Sequence, residues 1–150
     1  EGADSIDVGG ESTRPGALPV SEEEELHRVI PLIERLSKEI QIPVSIDTCK
    51  SAVAKEALHA GASILNDITG LTNPAMRAVA AKAKVPVILM HMQGTPQTMQ
   101  ENPTYADVVL DIKEFFKTQI ALARAEGITE IILDPGIGFG KTLEHNLTIL

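Results

Sequence analysis

Five times along this chain a short apolar run gives way to a longer stretch of helical periodicity, and each run ends in a polar residue suited to chemistry. Asp7 follows Ser5-Ile6, Asp47 follows Val44-Ser45-Ile46 and Asn66 follows Ile64-Leu65. His91 follows Val87-Ile88-Leu89-Met90, and Asp134 follows Ile131-Ile132-Leu133. Strands that alternate with helices favour a parallel sheet, and in a barrel of such units the reacting groups gather where strands give way to loops. The pattern therefore predicts five strand ends facing one pocket.

The first unit runs from a strand over Asp4 to Val8, through the turn-rich Gly9 to Gly16 segment, to a helix beginning near Ser21. Ser21 and Glu24 have capping-box spacing, and Leu26, Val29, Ile30, Ile33 and Leu36 recur on the face expected to meet the sheet. Pro43 to Ile46 predicts the second strand, followed by an Ala-rich helix from Ser51 to His59 that Gly61 ends. The third strand is expected from Ala62 to Leu65, and a helix opened by Pro74 runs to about Lys84. Pro86 to Met90 forms the fourth strand. A helix from about Tyr105 to Glu126 then carries Val108, Val109, Ile112, Phe115, Phe116 and Ile120 on one stripe, and Ile128 to Leu133 makes the fifth strand. The expected fold class is α/β, a fragment of a (β/α)8 TIM barrel of about five consecutive βα units. A doubly wound open sheet is the alternative, since local patterns do not encode closure.

The chain has 150 residues and shows no linker or second composition regime, so residues 1–150 read as one partial barrel domain. A closed barrel needs about 250 residues, and the sequence neither opens on Met nor finishes its last helical pattern, from His145 to Leu150, so it looks cut at both ends.

A net charge of -8 with 13 dispersed Lys and Arg residues argues against a phosphate-backbone groove, so nucleic acid is not an expected partner. No apolar run approaches the roughly 18 residues of a membrane span. The single cysteine, Cys49, rules out an intrachain disulfide and multi-cysteine metal motifs, and a reducing cytoplasm is the default location.

Asp134-Pro135-Gly136-Ile137-Gly138-Phe139-Gly140-Lys141-Thr142 superficially suggests a nucleotide loop, but Pro135 stands where the P-loop needs its first Gly. Lys141 likewise stands where the dinucleotide fingerprint needs its third. What remains is a strand-end carboxylate followed by three alternating glycines that would let backbone pass close to a ligand, or a tight turn with a capping Asp. Gly9 to Gly16 combines glycines, two hydroxyls and Arg14, which suits a mobile loop closing on an anionic substrate; the bland reading of Arg14 is a solvated loop residue. Asp47 and Asn66 could each serve as local caps. His91 has no carboxylate or second His at ligand spacing and reads as a hydrogen-bonded structural group. Cys49, without a committed His partner, reads as packing, leaving nucleophilic catalysis the weaker alternative.

Taken together, Asp7 to Gly16, Ser45-Ile46-Asp47-Thr48, Ile64 to Ile68, Leu89 to Pro96 and Asp134 to Lys141 resemble the dihydropteroate synthases, folate-pathway enzymes of the pterin-binding barrel family. The resemblance covers essentially the whole chain. It implies a transferase that condenses 6-hydroxymethyl-7,8-dihydropterin pyrophosphate with p-aminobenzoate, giving 7,8-dihydropteroate and pyrophosphate by an SN1-like path assisted by Mg2+. By the same resemblance Asp134 and Asn66 read the pterin edge, Asp47 lies near the ring, Ile68 and Met90 flank it, and Gly138 belongs to the pterin site. Thr13, Arg14, Pro15 and Phe139 shape the p-aminobenzoate side, where sulfonamides would compete, and Asp47 and Arg14 are the expected catalytic residues.

The family's first strand, with the Mg2+ ligand motif, is expected upstream, and its last two strands, with a pterin-contacting Lys and a pyrophosphate site, downstream. No metal ligand is therefore expected within this chain, which alone should be inactive, while the complete protein is expected to be a homodimer. A pterin-binding methyltransferase domain and a non-catalytic pterin-binding module are the alternatives.

Overall fold

A computed structural model describes residues 2–150; Glu1, which the sequence places with Gly2 at a helix end, lies outside them. The described residues form β1 Ile6–Gly9, α1 Glu22–Glu39, β2 Val44–Asp47, α2 Ser51–Ala60, β3 Ile64–Asp67, α3 Pro74–Ala83, β4 Val87–Met90, α4 Val108–Ala125, β5 Ile131–Asp134 and α5 Leu143–Ile149. All five strands run parallel in the order β1-β2-β3-β4-β5. A doubly wound sheet reverses its order at a switch point, so this unbroken succession is an arc of barrel wall.

The pleat sends alternate side chains to opposite faces. Val44, Ile46, Leu65, Val87 and Leu89 are buried with Val29, Ile33, Val53, Ala57, Met76, Ala80, Ile112 and Phe116 from the helices, which puts the core between sheet and helical layer. The other face carries Asp7, Asp47, Asn66, Ile88, Met90, Ile132 and Asp134 by strand register. Truncating a core residue such as Leu65 would cost about 2–5 kcal/mol.

Several element boundaries differ from the sequence reading, the first strand running from Ile6 to Gly9 rather than from Asp4 to Val8, and three of the differences have a visible cause. The third strand begins at Ile64 rather than Ala62, and the fifth at Ile131 rather than Ile128. In both cases the preceding helix is still being closed, because the Ala62 N–H donates to the Ala57 carbonyl and the Ile128 N–H to the Ala123 carbonyl. The fourth helix begins at Val108 rather than Tyr105, because the Asp107 carboxylate caps it by accepting from the Val109 and Leu110 N–H groups. Tyr105 instead lies in the loop, and its hydroxyl donates to the Gly140 carbonyl at 2.7 Å.

Candidate active site at the carboxyl ends of the strands

Asp47 stands beside Asn66 in the β2–β3 register, and Met90 beside Asp134 in the β4–β5 register. Four of the residues expected in the pterin site thus share one sheet face at one end. Asp47 Oδ1 is buried with no hydrogen-bond partner among the described residues. Burial first, and then the charges of Asp7, Glu25 and Asp67, push its carboxyl up to about 7. An underpartnered carboxylate held near neutrality can gain a ligand's donor or stabilise positive charge. Asp134 behaves differently, since one of its oxygens already accepts from the Gly136 N–H at 2.7 Å, so the capping role holds alongside any ligand contact.

Asp47, Thr13 and Ile68 line a cavity of about 260 Å³ together with Cys49, Met92 and Pro96, under the loops that follow β1 to β4. Arg14, Pro15, Phe139, Asn66, Met90 and Asp134 are not part of that lining. Arg14 and Pro15 are exposed, Phe139 is half-buried on the β5–α5 loop, and Gly138 is exposed with its carbonyl accepting from the Gln100 side chain at 2.5 Å. Ile68 and Met90 are largely covered, at 6 % and 4 % exposure, so they can offer a ligand only a wall.

The β1–α1 loop is tied down at several points, which the expectation of a mobile loop does not include. Glu11 accepts from the Val20 N–H and from Lys50 at 2.8 Å, the Gly16 N–H donates to the Pro96 carbonyl, and Gln97 donates to the Ala17 carbonyl. Lys50 also donates to Glu25, which is 1 % exposed and accepts from Thr48 at 2.6 Å. Burial alone would lower Lys50, but the two glutamates prevail and hold it above its ordinary value. Glu25 sits on the apolar stripe of α1, and no helical periodicity announces a charge there.

Two further residues escaped the sequence reading. Asp67 is fully buried and accepts from the Thr69 hydroxyl and from the Thr69 and Leu71 N–H groups, shaping the β3–α3 turn. Lys141 is 3 % exposed and donates to the carbonyls of His91, Gly136 and Phe139. The Asp67 signal lay in its place directly after Asn66 at a strand end; Lys141 had none beyond its motif.

Two of the three alternating glycines serve the chain itself rather than a ligand. A Cβ at Gly136 would stand 2.0 Å from the His91 carbonyl oxygen, and one at Gly140 would stand 2.5 Å from that of Gln93. Only Gly138 has open space around it. His91 is buried and contacts Lys141 through Nδ1, as expected of a structural histidine; burial first and Lys141 second push it down to about 4. Burial also raises the Cys49 thiol, which keeps it from acting as a thiolate and agrees with the packing reading.

The family described as pterin binding enzyme matches residues 1–150. The dihydropteroate synthase of Synechocystis sp. is 54% identical over 99% of this chain and 53% of its own length. The crystal structure of Yersinia pestis dihydropteroate synthase with a sulfonamide drug complex superposes with a TM-score of 0.95 at 51% identity, covering 99% of this chain and 55% of that one. The Thermus thermophilus dihydropteroate synthase in complex with 4-aminobenzoate gives 0.93 at 46% identity, covering 99% and 56%. The chain spans about half the length of the relatives it matches.

Proposed function

The chain belongs to the pterin-binding enzyme family, and from that premise we propose that the complete protein is a dihydropteroate synthase. Its substrates would be 6-hydroxymethyl-7,8-dihydropterin pyrophosphate and p-aminobenzoate. The observation that carries this reading is the shared sheet face of Asp47, Asn66 and Asp134 at the strand ends, in a chain about half identical to synthases throughout.

The chemistry follows from the residue types. A carboxylate such as Asp134, with the Asn66 amide, matches the donors and acceptors of an amino-pyrimidinone edge. As the exocyclic carbon–oxygen bond breaks, pyrophosphate leaves with the electron pair and positive charge spreads into the pterin, where the Asp47 carboxylate stabilises it. The lone pair of the p-aminobenzoate nitrogen then forms the new carbon–nitrogen bond, and that nitrogen gives up a proton. Ile68, Met90 and Gly138 would bound the pterin; Thr13, Arg14, Pro15 and Phe139 would form the p-aminobenzoate side, with Arg14 on the anions. Sulfonamides would compete there.

Magnesium is proposed as the ion that stabilises the departing pyrophosphate. Among the described residues no three His, Cys, Asp or Glu side chains form a group that could hold a metal, so its ligands would come from another part of the protein and no step above depends on it. We further propose one strand before and two after this segment, a homodimeric complete protein in the cytoplasm, and no turnover by residues 1–150 alone. No helix of the described residues is long and apolar enough to cross a membrane.

The test is dihydropteroate formation from the two substrates by the purified complete protein. Methyl transfer to a corrinoid instead would favour the methyltransferase alternative, and pterin binding without turnover the non-catalytic module.

A further inference from the structure

Asp7 is a carboxylate on the sheet face that carries the proposed pterin contacts, and the proposed function gives it no part. It lies on β1 opposite Ser45 of β2, on the same sheet face as Asn66. The Ser45 hydroxyl donates to Asp7 Oδ1, and the Asn66 amide nitrogen donates to Asp7 Oδ2 at 3.2 Å. The second bond passes over β2 to join β1 to β3.

The chemistry of this bond is directional. An asparagine amide has nearly the same shape in either orientation, but one orientation puts two donors, and the other an acceptor, at a given place. A carboxylate offers only acceptors, so Asp7 requires the amide nitrogen on its side and leaves Asn66 Oδ1 as the atom free for a ligand. The Ser45 hydroxyl in turn holds the Asp7 carboxylate. Asp7 is also the first charge, after burial, among the causes that raise the Asp47 carboxyl, so it acts on two of the proposed pterin contacts.

We propose that Asp7 is a positioning residue for pterin recognition, fixing the Asn66 amide so that its oxygen faces a donor of the pterin edge. This rests on the proposed function. An Asn at position 7 offers both a donor and an acceptor, so Asp7→Asn lets the Asn66 amide turn over and present a donor to a donor.

The test is a double-mutant cycle in the complete protein, reading calorimetric affinity for 6-hydroxymethyl-7,8-dihydropterin together with steady-state kinetics. Measured at pH 9, where the Asp47 carboxyl is ionised with or without the charge of Asp7, Asp7→Asn should weaken binding on the order of tenfold with Asn66 present, and less than about twofold in the Asn66→Ala background. Its kinetic effect should fall on the KM of the pterin substrate, with kcat and the p-aminobenzoate KM little changed. If Asp7→Asn does not fold, Ser45→Ala is read through the same cycle, with a smaller loss of the same pattern. Equal losses in both backgrounds, or a fall in kcat at unchanged pterin KM, would mean that Asp7 acts on general structure and would overturn the proposal. An Asn66→Ala effect without an Asp7 effect overturns this inference alone, whereas no effect of Asn66→Ala overturns the pterin assignment with it.

Discussion

The ammonium of Lys141 lies 3.1 Å from Nδ1 of His91, and the two buried side chains hold the β5–α5 loop against the end of β4. An ammonium only donates, so Nδ1 must accept and the ring proton sits on Nε2. The same ammonium bonds the carbonyls of His91, Gly136 and Phe139 at 3.2, 3.0 and 3.0 Å. Asp134 and Phe139, expected on opposite substrates, therefore stand on one pinned segment.

Lys141→Met is expected to fill the space and leave those carbonyls without their donor. An unmet buried polar group costs about 1–3 kcal/mol, so the complete protein should unfold several degrees lower while keeping its secondary structure. Thermal unfolding followed by circular dichroism reads this directly; an unchanged midpoint would show that the loop is held by other contacts.

Asp47 gives a pH prediction with two opposite signs. Its folded carboxyl is pushed up to about 7 from an ordinary carboxylate value of 3.8, so the folded state binds the proton more tightly and loses stability as pH rises through that window. Asp47→Asn should therefore raise the unfolding temperature of the ligand-free protein at pH 8, with the gain vanishing toward pH 4. If the charged form meets the pterin, wild-type affinity should climb as pH rises through about 7, and the variant's should be weak and flat. A wild-type affinity that ignores pH there would count against the carboxylate as the pterin contact.

Asp134→Asn is expected to cut pterin affinity by roughly ten- to a hundredfold, the equivalent of about 1–3 kcal/mol, because one acceptor becomes a donor facing a donor. The amide oxygen can still accept from the Gly136 N–H, so the turn should survive and the melting temperature should move little. Calorimetric titration with the pterin substrate makes the measurement, and full affinity would remove Asp134 from the site.

Arg14→Ala should impair turnover and p-aminobenzoate capture while leaving pterin affinity nearly intact. Arg14 is exposed, whereas the loop carrying it is anchored by the Glu11–Lys50 pair and by the Gly16-to-Pro96 bond, so deleting the side chain should not unravel the loop. Normal steady-state kinetics in the variant would assign Arg14 to solvent.

Local pattern determined a great deal of this protein. Helices and strands follow from apolar spacing over neighbouring residues, and a polar residue closing each apolar run was enough to mark Asp47, Asn66 and Asp134 as residues to examine. The turn at Asp134 was legible too, because an Asp two residues before a glycine can bond its own backbone. Tertiary structure decided the rest, because those relationships join groups distant in sequence. The strand order that excludes a doubly wound sheet depends on which edges meet, a choice no window of residues contains. The buried Glu25 carboxylate of α1 meets Lys50 and Thr48 of the β2–α2 loop, a grouping that no local spacing contains. Gly136 and Gly140 looked like room for a ligand until the backbone after β4 filled it. The Asp7–Asn66 bond spans 59 residues, and the sequence holds two polar side chains with many conceivable partners; only the packing of three adjacent strands selects this one.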